Sequence, residues 1–237
     1  MKETKLLIIT LLLVFSSVEA ANREKPLAND GKSGLYAKSL DQVLRLDEKD
    51  VDLGTAALIV SENWSDMVYG RQYLAKLDEM AKEIRERLNK KGIPANYQAI
   101  PEINKYLFDE LNFKALSVAT DPDNLFLHSV LDKKLGYCLS LSILYLSIGE
   151  RLGLDLYGVV VPGHFFVRYD DGNVKFNIET TSEGGSATDE QYVKKFKVPQ
   201  NKSRNIYMKS LNKIQTIGCF LNNLGNSYSD IGKEDTA

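Results

Sequence analysis

The sequence predicts an α+β chain: helices fill the first half and strands gather in the second. Three observations carry this. Apolar residues recur at helical spacing from Leu40 to Leu152. Between Tyr157 and Ile178 the pattern changes to a β-branched run and two alternating runs. Asp170-Asp171-Gly172 sits between those alternating runs as a hairpin turn.

The elements follow in order. Residues 21–36 are polar, with Pro26, Gly31 and Gly34, and read as a flexible linker. Leu40, Val43, Leu44 and Leu46 share one helical face. Asp52 stands as N-cap before Leu53, Ala56, Ala57 and Val60. Tyr73, Leu74, Leu77, Met80, Ala81, Ile84 and Leu88 mark a long amphipathic helix from about Met67, which Gly92-Ile93-Pro94 ends. Ile103, Tyr106, Leu107 and Leu111 mark a short one from Ile100 to Leu111. Asp121-Pro122-Asp123-Asn124 is a turn and cap for a helix through Phe126, Leu127, Val130 and Leu131, which stops at Gly136. The helix from about Tyr137 to Leu152 is apolar nearly all round, so it is expected to be buried, with Gly153 as its C-cap. Strands are expected over Tyr157–Val161, Phe165–Tyr169 and Val174–Ile178, and a short helix over Tyr192–Phe196.

The two ends read differently. Residues 1–20 carry Lys2 and Lys5, an apolar run from Leu6 to Phe15 and a small-residue exit at Ala20, the pattern of a signal peptide. The run is about half the roughly 20 residues that a spanning helix needs, which favours cleavage over a membrane anchor. The mature protein is then expected to be secreted or periplasmic, with no membrane anchor. At the other end, residues 217–237 contain Leu224-Gly225, Tyr228, Gly232 and Ala237, the opening of a tetratricopeptide repeat. Such a partial repeat cannot bury its own face. Either it packs back on the main domain, or further repeats continue it and offer a surface to a protein partner.

Composition narrows the function. A formal net charge of −2 over 237 residues, with 26% charged side chains, argues against a nucleic-acid protein. Neither a Gly-rich phosphate loop nor a dinucleotide fingerprint is present, so no cofactor is expected. Two histidines and two cysteines without ligand spacing do not make a zinc set, so no metal site is expected.

Chemistry concentrates between Gly136 and Glu179. Cys138 opens the apolar helix, where first-turn amides and the helix dipole favour a thiolate. His164 enters a strand after Val161-Pro162-Gly163, and Glu179 ends the next strand. Nucleophile, base and orienting group are the parts of a thiol enzyme. Strand alternation places Asn177 beside Glu179 on one face, so either could orient His164. The bland alternatives are a buried structural cysteine, or a disulfide from Cys138 to Cys219. His128 lies within a helix and reads as structural.

These residues resemble the transglutaminase-like superfamily, in particular a bacterial branch with a helical front half and C-terminal tetratricopeptide repeats. The resemblance rests on Val51-Asp52-Leu53 with Ala56-Ala57-Leu58-Ile59, on Asn104 with Tyr106-Leu107-Phe108, and on Asn124 with Val130-Leu131. Its densest part is Gly136, Cys138-Leu139-Ser140-Leu141-Ser142, Leu144-Tyr145-Leu146 and Arg151-Leu152-Gly153-Leu154. Gly158-Val159, Pro162-Gly163-His164-Phe165 and Asn177-Ile178-Glu179 complete it. It implies a papain-like core over residues 37–200, with the cysteine helix packed on an antiparallel sheet bearing histidine and acid. It also implies Cys138 as nucleophile, His164 as base and Glu179 as orienting acid, with Asn177 in reserve. The superfamily more often has aspartate at the position of Glu179. The implied function is a thiol-dependent amide hydrolase or acyl transferase acting on a protein or peptide. The competing expectation is a silent fold of the same family that serves as a binding module.

Overall fold

A computed structural model describes residues 27–29, 32–35, 37, 39–117, 121–199 and 206–232. Residues 1–20, read as a signal peptide, and Ala237 lie outside the described residues. Within the expected linker, β1 (Leu27–Asn29) and β2 (Lys32–Leu35) pair antiparallel.

The front half is helical, as the periodicity predicts. It comprises α1 (Leu40–Leu44), α2 (Leu53–Trp64), α3 (Gly70–Lys91) and α4 (Ile100–Asn104). Asp52 caps α2, its Oδ1 accepting from Thr55 N at 2.7 Å. Gly92 ends α3 at a φ of 66°, a left-handed turn that glycine adopts without strain. The helix expected over Ile100–Leu111 changes form partway: Lys105–Glu110 is a π-helical turn, closed by Leu111 N donating to Tyr106 O at 3.0 Å.

A short α5 (Leu127–Lys133) follows, and a parallel pair of two-residue strands, β3 (Lys114–Ala115) and β4 (Leu135–Gly136), flanks it. Then comes α6 (Cys138–Leu152), buried on nearly every side, with Gly153 as its left-handed cap. The main sheet has β5 (Leu156–Val161), β6 (His164–Asp170) and β7 (Lys175–Ile178) in sequential antiparallel order. A short α7 (Asp189–Lys195) and a longer α8 (Lys213–Asp230) follow among the described residues.

Alternation along β6 sets two layers. Phe165, Val167 and Tyr169 join the large core that includes most of α6. His164, Phe166 and Arg168 face the other way, toward α7, where Phe166 and Tyr192 share a smaller core. Arg168 is fully buried and satisfied: it donates to Asn177 Oδ1 at 2.9 Å, Met208 O at 2.8 Å and Asp189 Oδ1 at 2.7 Å.

The tail helix begins at Lys213, four residues before the expected 217, with Asn212 and Gln215 forming a capping box. It docks on the main domain. Ile217, Phe220, Leu224 and Tyr228 are buried in the large core. Lys213 Nζ ties its start to Glu150 of α6 at 2.5 Å and to Val51 O at 2.6 Å. The helix carries one apolar stripe, and that stripe is covered by the domain.

Candidate functional site

Cys138 is the first residue of α6, and its placement is built from three hydroxyl and amide contacts. Ser140 Oγ accepts from Tyr137 N at 2.9 Å and donates to Asn124 O at 2.8 Å. The Tyr137 hydroxyl bonds the backbone of Asp121 at 3.1 Å. Gly136 has no room for a side chain: a Cβ there would lie 2.8 Å from Ser140 Oγ. The start of α6 is thereby fixed against the preceding turn, and the half-buried Cys138 sulfur faces the end of the sheet.

His164 begins β6 after the Pro162-Gly163 turn. Its Nε2 lies 2.7 Å from Glu179 Oε2, and the Cys138 side chain lines the same cleft, near enough to the ring to act on its pKa. Glu179 stands just past the end of β7 and is itself held. Its Oε1 accepts from Thr181 N at 3.0 Å and from Thr181 Oγ1 at 2.6 Å, and its Oε2 accepts from the Tyr192 hydroxyl at 2.9 Å. A hydroxyl pair between Ser142 and Thr180, 3.0 Å apart, locks the acid's strand end to the cysteine helix. Phe196 lies flat against the imidazole, ring centroids 4.7 Å apart and 5° from parallel.

The electrostatics follow from this packing. The His164 and Glu179 side chains are only 12% and 11% exposed, so the ion pair is poorly screened by water. For His164, burial opposes the charged ring, but Cys138 and Glu179 outweigh it and raise the pKa to about 9. For Glu179, burial likewise opposes charge, while the bonds from His164 and Thr181 prevail and lower its pKa to about 2. The arrangement favours imidazolium beside carboxylate, with the sulfur on the other side of the ring.

Asn177 requires a correction. It shares the face of Glu179, as alternation predicts, but its carboxamide is fully used elsewhere. It accepts from Arg168 Nε at 2.9 Å and donates to Ala187 O at 3.0 Å and Asp189 Oδ1 at 2.7 Å. It braces the sheet against α7, and of the two it is Glu179 that contacts the imidazole. Cys138 and Cys219 are both free thiols rather than a disulfide, although both line the same cleft. His128 is packed between Tyr73 and Phe126, and burial lowers its pKa.

Sequence reasoning missed Tyr192, Phe196 and Thr181. The helix carrying Tyr192 is too short for periodicity to reveal which side faces the site. Thr181, two residues after a carboxylate, had a readable signal: an acidic side chain caps a following turn this way. Among the described residues, no group of three or more His, Cys, Asp or Glu is disposed to hold a metal ion.

The cleft in front of the pair has a volume of about 590 Å³. One side carries Cys138, Leu139, Val160, Val161 and His164, and the other carries α8.

Residues 71–221, more than half of the chain, match the Transglut_core2 family, described as the transglutaminase-like superfamily. UPF0162 proteins from two strains of Xylella fastidiosa are 30% identical over 126 residues, covering 51% of this chain and 43% of theirs. The chain therefore spans less than half the length of those relatives. F-box only protein 21 from mouse and human is 37% identical over 76 residues, covering 32% of this chain and 12% of theirs. A crystal structure of menin superposes with a TM-score of 0.46 at 16% identity, covering 83% of this chain and 53% of that one. On the strength of the match over residues 71–221, this chain belongs to the transglutaminase-like superfamily.

Proposed function

We propose that the protein is a thiol-dependent amide hydrolase or acyl transferase that acts on a protein or peptide, outside the cytoplasm once residues 1–20 are removed as a signal peptide. One observation carries the reading: a single imidazole shares a cleft with a sulfur at a helix start and is paired at 2.7 Å with a buried carboxylate that Thr181 and Tyr192 also hold.

The chemistry follows from that order. With Nε2 given to Glu179, the Nδ1 side of His164 is the side that serves Cys138. The thiol proton passes to the ring, and Glu179 stabilises the resulting imidazolium. The sulfur attacks an amide carbonyl carbon, forming a C–S bond. The backbone N–H of Cys138, with no intrahelical partner at a first-turn position, donates to the developing oxyanion. The imidazolium then protonates the amine nitrogen as the C–N bond breaks. Water or a primary amine attacks the thioester, the C–S bond breaks, and the acid or new amide leaves.

Alkylation tests this. At pH 6 an ordinary thiol is almost wholly protonated and reacts slowly. Cys219 is an internal control, because burial raises its pKa. Cys138 is expected to take iodoacetamide at pH 6 at least tenfold faster than Cys219, read by mass spectrometry of the two peptides. The His164→Ala chain should lose that advantage. Equal, slow labelling of both cysteines at pH 6 would reject the enzyme reading and favour the silent binding module.

A further inference from the structure

The tail helix has a second face. Its apolar stripe is buried, while Gln215, Gly218, Cys219, Asn222 and Asn226 recur at helical spacing on the side that walls the cleft opposite Cys138 and His164. This face is polar but carries no charge. Among the described lining residues of the whole cleft there is no Lys, Arg, Asp or Glu. The Asn222 and Asn226 side chains are exposed and line the cleft.

Gly218 is the telling position. It lies in the helix interior, where glycine is the least favourable residue after proline. Its φ is ordinary, and a Cβ there would meet nothing within 4 Å. Neither backbone geometry nor packing asks for glycine. What its bareness does is keep the cleft open at mid-helix.

We infer that this face of α8 is the binding wall for the acyl donor, and that the donor is an uncharged stretch of extended polypeptide. Its main-chain amides pair with the carboxamides of Asn222 and Asn226 as the chain passes over Gly218. The inference rests on the amide chemistry proposed above and names the substrate class. A carboxamide both donates and accepts, so it matches a peptide unit on either edge. The opposite wall, with Leu139, Val160, Val161, Phe165, Tyr207 and Leu211, is mostly apolar apart from Cys138 and His164. That suits peptide side chains better than the hydroxyl-covered surface of a sugar. A charged side chain entering here would be partly desolvated, and outside the His164 pair no Lys, Arg, Asp or Glu among the described lining residues would balance it.

The test reads protection of Cys138 from iodoacetamide in the full chain, by mass spectrometry of its peptide. Three pools of end-blocked random heptapeptides are used: uncharged, acidic and basic. The readout in each protein is the ratio of alkylation rates without and with peptide. The uncharged pool is expected to slow alkylation at least threefold in the wild type, and each charged pool less than half as well. Gly218→Leu should bring the ratio close to one, with a melting temperature no lower than the wild type's. The Asn222→Asp/Asn226→Asp chain should instead be protected best by the basic pool. Protection by no pool, or ratios unchanged in both variants, would overturn the inference. So would protection by chitohexaose in place of peptide. Failure of the thiol chemistry shows separately, as slow labelling of Cys138 at pH 6; protection is then read at pH 9, where an ordinary thiol also reacts.

Discussion

Glu179 is the residue on which the site turns, and its environment makes two measurable statements. The first concerns pH. The folded-state pKa of His164 is raised from 6.5 to about 9, so its share of stability is present in full below 6.5 and is lost as pH climbs through about 9. Glu179 is lowered from 4.5 to about 2, so its share is present above 4.5 and lost as pH falls through about 2. The stability gap between wild type and Glu179→Gln is therefore expected to be widest between pH 4.5 and 6.5 and to narrow toward both ends. A gap in melting temperature that stays constant from pH 3 to 10 would contradict this. The second statement concerns Tyr192, which positions the acid without touching substrate. Tyr192→Phe removes a buried hydrogen bond to a charged acceptor, at a cost of about 1.5–3 kcal/mol. It should lower the pH at which His164 titrates by NMR, an effect that mere loosening of the fold would not produce. The three residues that gather at the candidate site were singled out from sequence because each stood at an element boundary with a chemical signature. The choice between Asn177 and Glu179 was not, since alternation gives a face and cannot say which neighbour claims a side chain. Arg168, buried by the fold, claims Asn177.

At the scale of elements, the start of α2, the middle of α3 and the end of α6 meet at one guanidinium. Arg151 and Asp52 are each 1% exposed, 3.4 Å apart, and Arg151 Nε also donates to Asp78 at 2.6 Å. Asp52 at the same time caps α2. A buried pair of this kind adds little against an apolar replacement, yet removing one partner strands the other charge. Arg151→Ala is expected to cost about 3–5 kcal/mol in urea unfolding, and the Asp52→Ala/Arg151→Ala chain less than the sum of the two single changes. Additive costs would mean that the two side chains do not act as a pair. The sequence made Asp52 readable as a cap through its position before an apolar run. Its second role was hidden, because the partner lies 99 residues away and periodicity carries no long-range pairing. The π turn at Lys105–Glu110 was hidden for a similar reason. Its apolar positions fit an ordinary helix, and the wider turn starts right after Asn104, whose Oδ1 accepts from Tyr145 Oη at 2.7 Å.

For the whole molecule, the question is whether α8 is an appendage or part of the cooperative unit. The sequence left both outcomes open, because an apolar stripe shows that a helix must be covered without showing by what. The fold supplies the cover. Phe220 and Ile217 are 1% exposed, Tyr228 packs on Trp64 with ring centroids 4.3 Å apart, and Leu211 N donates to Gly158 O at 2.8 Å, extending the β5 edge just before the helix begins. Gly158 permits that approach; a Cβ there would lie 2.4 Å from the Phe165 ring and 3.0 Å from Thr216 Oγ1. A helix held this way opens only with the domain, so its amides should exchange no faster than those of α6. Phe220→Ala, which empties a fully buried aromatic site, is expected to lower global stability by about 3–5 kcal/mol. The decisive measurement is hydrogen exchange with mass spectrometry on both chains. In the wild type, peptides spanning 213–228 and 138–152 should show matching protection. In Phe220→Ala, both should lose protection together by the same factor, because the cleft wall and the cysteine helix belong to one unfolding unit. Fast exchange confined to 213–228 would mean that α8 opens alone, and the cleft would then have one fixed wall and one hinged one.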